Sequence, residues 1–349
     1  SVLFQAVRQR ASDIHFESFE RGLVVRYRID GVLYPVLTPP KRLQSSIIAR
    51  LKIMAGLNIA EKRLPQDGRF AIRTAGKDVD LRVSVLPTSH GERVVLRLLE
   101  KENRLLNLTE MGFSAERLSS IQQLIQLAHG IILVTGPTGS GKTTTLYSLL
   151  STLIGTSRNI ITLEDPVEYE IPGIVQSEID SEHGFTFASG LRSVLRHDPN
   201  IVLVGEIRDL ETAQTAIDAS LTGHLVLSTL HTNSAIEAIP RLLSMGVSPY
   251  TFAPALRAIL AQRLIRTLSP ESKANPYDGS NPASYSGRMV LPELLPVTQP
   301  LRDMILVQER SEVMEEQARK DGYLTMKEWG KVLVEQKITS PEEIARVTS

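Results

Sequence analysis

The chain has 349 residues, which is too many for one ordinary hydrophobic core and implies two or three domains. Its 42% hydrophobic and 22% charged residues are typical of a globular protein, and its equal numbers of basic and acidic residues, 39 of each, give no overall attraction to nucleic acid or to acidic membranes. There is no cysteine, which excludes disulfides and thiolate metal sites and makes the cytosol the natural compartment.

The apolar runs and the beginning of the chain set further limits. No apolar run approaches the ~20 residues that span a bilayer, and no signal peptide is visible. Residues 2–7 already have a helical pattern, so we expect that the chain lacks an upstream segment.

The first hundred residues predict a small α+β domain. A short helix is followed by strand patterns, with a tight hairpin turn at Asp30-Gly31, and a helical pattern covers residues 41–57. The polar, turn-rich residues 103–113 predict a linker after a first domain of residues 1–102. The strand patterns of this domain cover residues 13–17, 23–29, 32–34, 68–74, 79–85 and 93–99.

Residues 114–268 predict a mainly parallel α/β sheet. Apolar strand-like runs alternate with helical stretches, an order that puts parallel strands between layers of helices. Residues 269–287 predict an exposed loop, and residues 297–349 predict helices, with a capping box at Ser340 and Glu343. The last predicted domain therefore covers residues 269–349. The parallel strand candidates are residues 131–134, 160–163, 201–204 and 225–229.

A glycine-rich segment between a predicted strand and a predicted helix matches the pattern G-x-x-x-x-G-K-[ST]. Glycine in such a turn lets backbone N–H groups approach phosphate oxygens without an intervening Cβ, and the helix N-terminus adds partial positive charge. Lys142 can reach the β- and γ-phosphates, and the Thr143 hydroxyl can ligate Mg²⁺. We expect the nucleotide to be held by Gly136, Pro137, Thr138, Gly139, Ser140, Gly141, Lys142, Thr143 and Thr144.

Two predicted strands end in acidic residues, which nucleotide hydrolysis needs beside a phosphate loop. Ligands of open parallel sheets bind beyond the carboxyl ends of the strands, so these acids should converge. Glu164 is the leading candidate for polarising the attacking water. Glu206 would hold Mg²⁺ through water or help to activate the nucleophile. The sequence does not divide these duties between Glu164 and Glu206.

Histidines and arginines are the remaining candidates. His231 follows the strand that His224 precedes, and it could sense the γ-phosphate. Arg82 and Arg97 lie on adjacent predicted strands of the first domain, and a guanidinium brought by another domain or subunit can stabilise the charge of the transition state. Candidates for contacts between subunits are Arg192, Arg196, Arg208 and His224.

The whole set of motifs resembles the ATPases that power type II secretion and type IV pilus assembly. The resemblance covers nearly all of the chain and implies a PAS-like N-terminal domain and a RecA-like P-loop core. ATP would lie between them, with Arg82 and Arg97 reaching toward phosphate. In the first domain, residues 12–17, 26–31, 63–69, 82–84 and 90–97 match the family. In the core, the matching boxes are residues 136–143, 164–168, 205–209 and 222–231.

The resemblance also implies an oligomer and its partners. The family hydrolyses ATP with Mg²⁺ as a ring of six on the cytoplasmic face of the inner membrane. The ring would turn against an integral platform protein and drive pseudopilin assembly. A further N-terminal domain, which we expect to be missing before residue 1, would bind the cytoplasmic domain of a membrane recruiting protein. No nucleic acid is expected as a partner.

The chain departs from the family at one place. Members usually carry a tetracysteine zinc insert after residues 262–266, but this chain has Ser269 and Ser272 there and no second pair. Hydroxyls do not replace the four thiolates of such a site, so we expect no structural zinc and a segment that is mobile or held by other contacts.

Several alternatives stay open at this point. No residue pattern separates type II secretion from type IV pilus extension. Pilus retraction fits less well, because residues 82–84, 91–95 and those after 268 are more similar to the secretion and extension type. A nucleic-acid-translocating ring would need basic and aromatic channel residues, which neutrality and 5% aromatic content do not favour. A non-hydrolysing adaptor would lack Glu164 and Glu206.

Overall fold

The chain forms two compact units, residues 1–104 and 105–349. The finer division into residues 1–102, 103–113, 114–268 and 269–349 stays a prediction. Residues 103–105 of the predicted linker and 275–283 of the predicted loop lie outside the described residues. Within the described ranges, no helix is long and apolar enough to cross a bilayer. The computed structural model describes residues 2–74, 76–100, 106–155, 157–274 and 284–349.

The small unit is built on an antiparallel sheet of six strands. Its elements are α1 (Val2–Arg8), β1 (Asp13–Phe19), β2 (Gly22–Ile29), β3 (Val32–Leu37), α2 (Gln44–Met54), β4 (Gln66–Thr74), β5 (Lys77–Thr88) and β6 (Gly91–Glu100). The strand order is β3-β2-β1-β6-β5-β4. Asp30 and Gly31 both have positive φ, 49° and 86°, and make the predicted turn between β2 and β3. Buried Ile14, Leu96 and Leu51 belong to the core between sheet and helices.

The large unit is a seven-stranded sheet covered by helices, as the alternation of patterns predicts. Its strand order is β13-β12-β7-β11-β10-β8-β9, parallel from β12 to β9. The strands are β7 (Gly130–Thr135), β8 (Ile160–Glu164), β9 (Val175–Glu178), β10 (Ile201–Val204), β11 (Leu225–Leu230), β12 (Leu256–Leu268) and β13 (Tyr285–Pro296). The helices are α3 (Ala115–Ile125), α4 (Lys142–Ser151), α5 (Phe187–Val194), α6 (Leu210–Leu221), α7 (Ala238–Ser244), α8 (Pro249–Ala255), α9 (Pro270–Ala274), α10 (Gln299–Leu306), α11 (Ser311–Lys320), α12 (Met326–Glu335) and α13 (Pro341–Thr348).

Both faces of this sheet are buried. Successive side chains of β7 alternate between two hydrophobic clusters: Ile131 and Leu133 pack with α5 to α8, whereas Ile132 and Val134 pack with α3 and α4. Each fully buried aliphatic side chain contributes about 1.5–3 kcal/mol relative to exposure, so this double layer fixes the position of the strand ends.

The C-terminal end of the sheet differs from the prediction. A loop is predicted over residues 269–287, whereas α9 covers Pro270–Ala274 and β13 already begins at Tyr285. β13 pairs antiparallel with β12 along most of its length. The pattern missed β12 because its apolar residues are interrupted by Arg257, Gln262 and Arg263 without a clear period. The predicted helices after residue 296 are confirmed, and α12 and α13 pack against these two strands.

A buried ion-pair cluster fastens α13 to β12. Glu343 accepts hydrogen bonds from Nε and Nη2 of Arg266 (3.0 and 2.8 Å), and from Nε and Nη2 of Arg346 (2.8 and 2.6 Å). The Arg266 guanidinium stacks on the Tyr285 ring, 3.9 Å from its centroid. Burial alone would raise the pKa of Glu343, but the arginine hydrogen bonds outweigh it and lower the pKa to about 2.

This cluster changes the predicted capping box at Ser340. The Ser340 hydroxyl accepts a hydrogen bond from the backbone N–H of Glu343 (3.2 Å), which is half of the motif. The Glu343 carboxylate does not complete the other half, because both of its oxygens bind arginines. The strong arginine contacts therefore replace the reciprocal contact that the local sequence predicts.

The two serines at the expected zinc position bind each other. The Ser269 hydroxyl accepts a hydrogen bond from the backbone N–H of Ser272 (3.3 Å), and the two hydroxyls are 3.1 Å apart. In the described part of the chain, no group of three or more His, Cys, Asp or Glu side chains could hold a metal. The absence of a structural zinc stays a prediction.

Candidate nucleotide site

Four adjacent parallel strands bring the predicted site residues to one edge of the large sheet. β7, β11, β10 and β8 are neighbours, and Val204 pairs with both Ser228 and Leu163. The phosphate loop follows β7, His231 follows β11, Glu206 follows β10, and Glu164 ends β8. This arrangement meets the expectation that the acids and the phosphate loop share the carboxyl edge.

The phosphate loop needs its glycines. Gly141 is the N-cap residue of α4 and has φ 86°, and Gly136 follows the last residue of β7 and has φ 148°. A Cβ on Gly136 would lie 2.5 Å from the carbonyl oxygen of Gln262 and 2.6 Å from the hydroxyl oxygen of Ser140. Both positions therefore exclude other side chains, since one requires a left-handed backbone and the other has no space.

Several hydrogen-bond donors in and beside the same loop have no acceptor among the described residues. Among the described residues, no protein oxygen accepts a hydrogen bond from the backbone N–H of Gly141, Lys142 or Thr143. The hydroxyls of Ser140 and Thr145 are also buried without a partner in the described part of the chain. The first N–H groups of a helix have no partner within the helix, and buried hydroxyls without a partner are rare, so these groups fit an anionic ligand with oxygen acceptors. A nucleotide phosphate satisfies this requirement.

Lys142 lies folded over the loop. Its Nζ donates to the carbonyl oxygens of Gly136 (2.7 Å) and Pro137 (3.1 Å). Burial lowers the pKa of Lys142 to about 8; the nearby charge of Glu206 opposes this shift, and the charge of Arg263 adds to it. Because the protein compensates the positive charge of Lys142 poorly, a phosphate group beside it would stabilise the protonated side chain.

Glu206 contacts Arg208 and lies close to His231. One of its oxygens pairs with Arg208, and the other lies 3.5 Å from Nε2 of His231. The Glu206 side chain is 14% exposed, while those of Arg208 and His231 are 65% and 48% exposed. The carboxylate is thus shielded but accessible, which suits a group that contacts a ligand or its bound water.

Glu164 has a different environment. It is 4% exposed, and its oxygens accept hydrogen bonds from the hydroxyl of Tyr147, from Oγ1 of Thr162 (2.5 Å) and from Nε2 of Gln176 (3.2 Å). Burial, followed by the contact with Glu164, raises the pKa of Tyr147, which keeps this hydroxyl a donor. These three donors use most of the roughly four acceptor positions of a carboxylate, so at most about one is left for a water molecule.

The other predicted core residues lie away from this group. His224 lies at the opposite end of β11, where its Nδ1 contacts the carbonyl oxygen of Ala219 (2.9 Å). Arg192 on α5 forms an exposed pair with Glu211 (2.8 Å). Arg196 follows the end of α5 and donates to the Arg192 carbonyl (2.8 Å). Their roles at a subunit contact stay predictions.

Arg82 and Arg97 face each other across β5 and β6 of the small unit. Arg97 pairs with Asp13 (3.0 Å), and Arg69 on β4 stands opposite Arg82 in register. Arg28 on β2 stands opposite Asp13 and pairs with it (3.4 Å), so four arginines occupy one row of this sheet together with Asp13. Like charges directly opposite each other on neighbouring strands are destabilising, so the row favours an anionic partner.

The sequence did not single out several residues that the structure places at the edge. Tyr147 lies on α4 and binds Glu164, Gln262 donates to the Ser140 carbonyl (2.8 Å), and Arg263 donates to the carbonyl of Asn233 (3.1 Å). Tyr147 follows the phosphate motif by only four residues, but nothing in its local pattern separates it from a core aromatic. Strand β12, which supplies Gln262 and Arg263, was itself not predicted.

The parallel sheet, the glycine loop and the acids at the strand ends define the class of this protein: it has a RecA-like P-loop core. Within that class, a family model described as "Type II/IV secretion system protein" matches residues 1–346. The chain belongs to the type II/IV secretion system protein family.

Relatives and solved structures agree with this assignment. The chain is 49% identical over 356 residues to the "Type II secretion system protein HxcR" of Pseudomonas aeruginosa, covering all of this chain and 76% of the relative. It is 47% identical over 374 residues to the "Type II secretion system ATPase E" of Vibrio cholerae, covering all of this chain and 74% of the relative.

Among solved structures, the Legionella pneumophila ATPase DotB is similar with a TM-score of 0.76 and 25% identity, over 99% of this chain and 93% of that one. The pilus retraction motor PilT, solved with bound ADP, has a TM-score of 0.65 and 28% identity, over 99% of this chain and 95% of that one.

Proposed function

We propose that this chain is the ATP-hydrolysing subunit of a type II secretion motor. The observation that carries the proposal is the group of Lys142, Glu206 and His231 at one sheet edge, beside loop N–H groups that have no protein acceptor among the described residues. Support for the type II pathway comes from the names of the relatives that match the whole chain at 47–49% identity. Pilus extension, the alternative, has no comparable support.

The side chains at the nucleotide edge of the large sheet would have different roles in binding ATP and Mg²⁺. The loop from Gly136 to Thr144 would bind the phosphates of ATP, and Lys142 would leave its carbonyl partners to meet them. Thr143 and Glu206 would hold Mg²⁺, which supplies charge neutralisation and polarises phosphoryl oxygens when bound. His231, paired with Glu206, would contact the γ-phosphate.

The contacts of the two acids suggest how their duties differ. Glu206 is the accessible acid and would orient or deprotonate the attacking water. Glu164, held by Tyr147 and Thr162, would add negative charge behind that water. We keep both residues as catalytic candidates.

The remaining parts of the motor follow from the family. The chain would act as a ring of six at the cytoplasmic face of the inner membrane, with an integral platform protein and a membrane recruiting protein as partners. Arg82 and Arg97 of the small unit would stabilise charge on the phosphates, which explains why like charges share one row. Arg192, Arg196, Arg208 and His224 would lie near neighbouring subunits.

The test is ATP turnover per chain as a function of protein concentration. A site completed by neighbours predicts that turnover in an assembled sample exceeds turnover in a dilute, single-chain sample by at least about tenfold, with assembly followed by sedimentation. Full-speed turnover of single chains would contradict the shared site, and absence of turnover at every concentration would contradict the ATPase itself. Arg82→Gln and Arg97→Gln should lower turnover in the assembled sample, whereas Arg241→Gln, an exposed change, should leave it unchanged.

A further inference from the structure

A positively charged cavity lies at the edge of the large sheet opposite the phosphate loop. Its volume is about 610 Å³, and Arg257, Arg302 and His129 line it together with apolar residues such as Leu124 and Leu127. Arg257 is the second residue of β12, and β7 begins one residue after His129. The length of β7, roughly 20 Å at 3.3 Å per residue, separates this cavity from the nucleotide edge.

Among the described residues, Arg257 has no carboxylate partner. It donates to the carbonyl oxygens of Pro254 (2.8 Å) and His129 (3.3 Å), and its Nη2 lies 3.2 Å from Nδ1 of His129. Because an arginine can only donate, Nδ1 of His129 is the acceptor in this contact. Gly130 makes this packing possible, since a Cβ there would lie 2.4 Å from Cγ of Arg257.

Arg302, on α10, is the second arginine that lines the cavity. Its Nε is buried and has no hydrogen-bond partner among the described residues. Burial, and then the charge of Arg302, lowers the pKa of Arg257, so the two guanidiniums are close enough to repel each other. No carboxylate lines this cavity in the described part of the chain. The nearby Thr298 donates to Asp321 (2.7 Å), but Asp321 lines a neighbouring cavity.

We propose that this cavity binds a small organic anion, a phosphate or carboxylate group on an apolar body. Two unneutralised guanidiniums match the oxygens of such a group, and the planar fork of arginine favours bidentate contacts. The walls of Leu124, Leu127 and Pro296 would receive the apolar part, and the volume falls in the range of small-molecule sites. The site is separate from the nucleotide edge and does not depend on the proposed function.

The test uses two probes, phenyl phosphate and benzoate, on the full chain saturated with ADP and Mg²⁺ so that the phosphate loop is filled. Calorimetry should give a saturable site with a Kd at or below about 1 mM for at least one probe. Arg257→Gln and Arg302→Gln should each weaken binding at least about tenfold, whereas Arg241→Gln should leave it within about twofold. No saturable binding, or equal weakening by Arg241→Gln, would overturn the proposal.

Two further measurements test the apolar walls and Arg302 separately. Inorganic phosphate should bind at least about tenfold more weakly than phenyl phosphate, and equal binding would overturn the role of the apolar walls. Without any probe, Arg302→Gln should unfold at the same temperature as the wild type or higher, because it removes like-charge repulsion. A lower unfolding temperature with unchanged probe binding would make Arg302 a structural residue and reject the site. Arg302→Lys, which keeps the charge but loses the fork, should bind the probes with intermediate affinity.

Discussion

Two clusters of glutamate and arginine in the large unit have opposite characters. Glu343 is fully buried, and hydrogen bonds from Arg266 and Arg346 saturate both of its oxygens. Glu206 pairs with the mostly exposed Arg208 and lies 3.5 Å from His231. A glutamate whose oxygens are all bound by buried arginines therefore stabilises the fold. A glutamate with few and exposed partners can exchange them for a ligand.

Free energies explain why the two clusters should respond differently to mutation. Removing one partner of a buried ion pair leaves an uncompensated charge in the interior, whereas an exposed pair contributes about 0–1 kcal/mol. We therefore expect changes in the Glu343 cluster to lower stability and changes at Glu206 to lower turnover. The following predictions test this separation.

The largest expected effect is on stability. Glu343→Gln removes the buried carboxylate charge that Arg266 and Arg346 both contact and should lower the free energy of unfolding by about 3–5 kcal/mol, measured by urea unfolding at neutral pH. Glu335→Gln, an exposed change on the neighbouring α12, should stay within about 0.5 kcal/mol. Similar values for the two variants would show that the cluster does not hold α13.

The pH dependence of the free energy of unfolding in acid is a second test of the same carboxylate. The folded pKa of about 2 lies below the ordinary 4.5, so the contribution of Glu343 is complete above about pH 4.5 and is lost as the pH falls toward 2. A difference of about 2.5 units corresponds to about 3 kcal/mol. Glu343→Gln should lack this part of the acid dependence, and an unchanged slope would contradict the assigned pKa.

A smaller effect is expected at Glu164, which lies between the two extremes: it is as enclosed as Glu343 but belongs to the nucleotide edge. Tyr147→Phe removes one donor to this carboxylate and should lower the free energy of unfolding by about 1–3 kcal/mol. If Glu164 also acts in hydrolysis, kcat should fall while the KM for ATP changes little. Tyr250→Phe, at a ring that is 75% exposed, should change neither quantity.

The sequence predicted the four central parallel strands, β7, β8, β10 and β11, and the phosphate loop, because continuous apolar runs and fixed motif spacing are local signals; it missed the parallel strands β9 and β12. It did not predict β13, which pairs with β12 through residues up to 38 positions apart, or the contact of Glu343 with Arg266, which is 77 positions away. It also ranked Glu164 ahead of Glu206 as the water-polarising acid. Only the tertiary contacts reveal that Tyr147, Thr162 and Gln176 already occupy Glu164.

The most direct measurement of the central claim is ATP binding and hydrolysis by Glu206→Gln, with the exposed Glu182→Gln as control. The amide keeps the shape of the side chain but loses its charge and basicity. We expect ATP affinity to stay within a few fold, turnover to fall by at least about 10²-fold, and unfolding to be nearly unchanged. Turnover equal to that of the wild type would remove Glu206 from the reaction and contradict the account of this edge as a hydrolytic site.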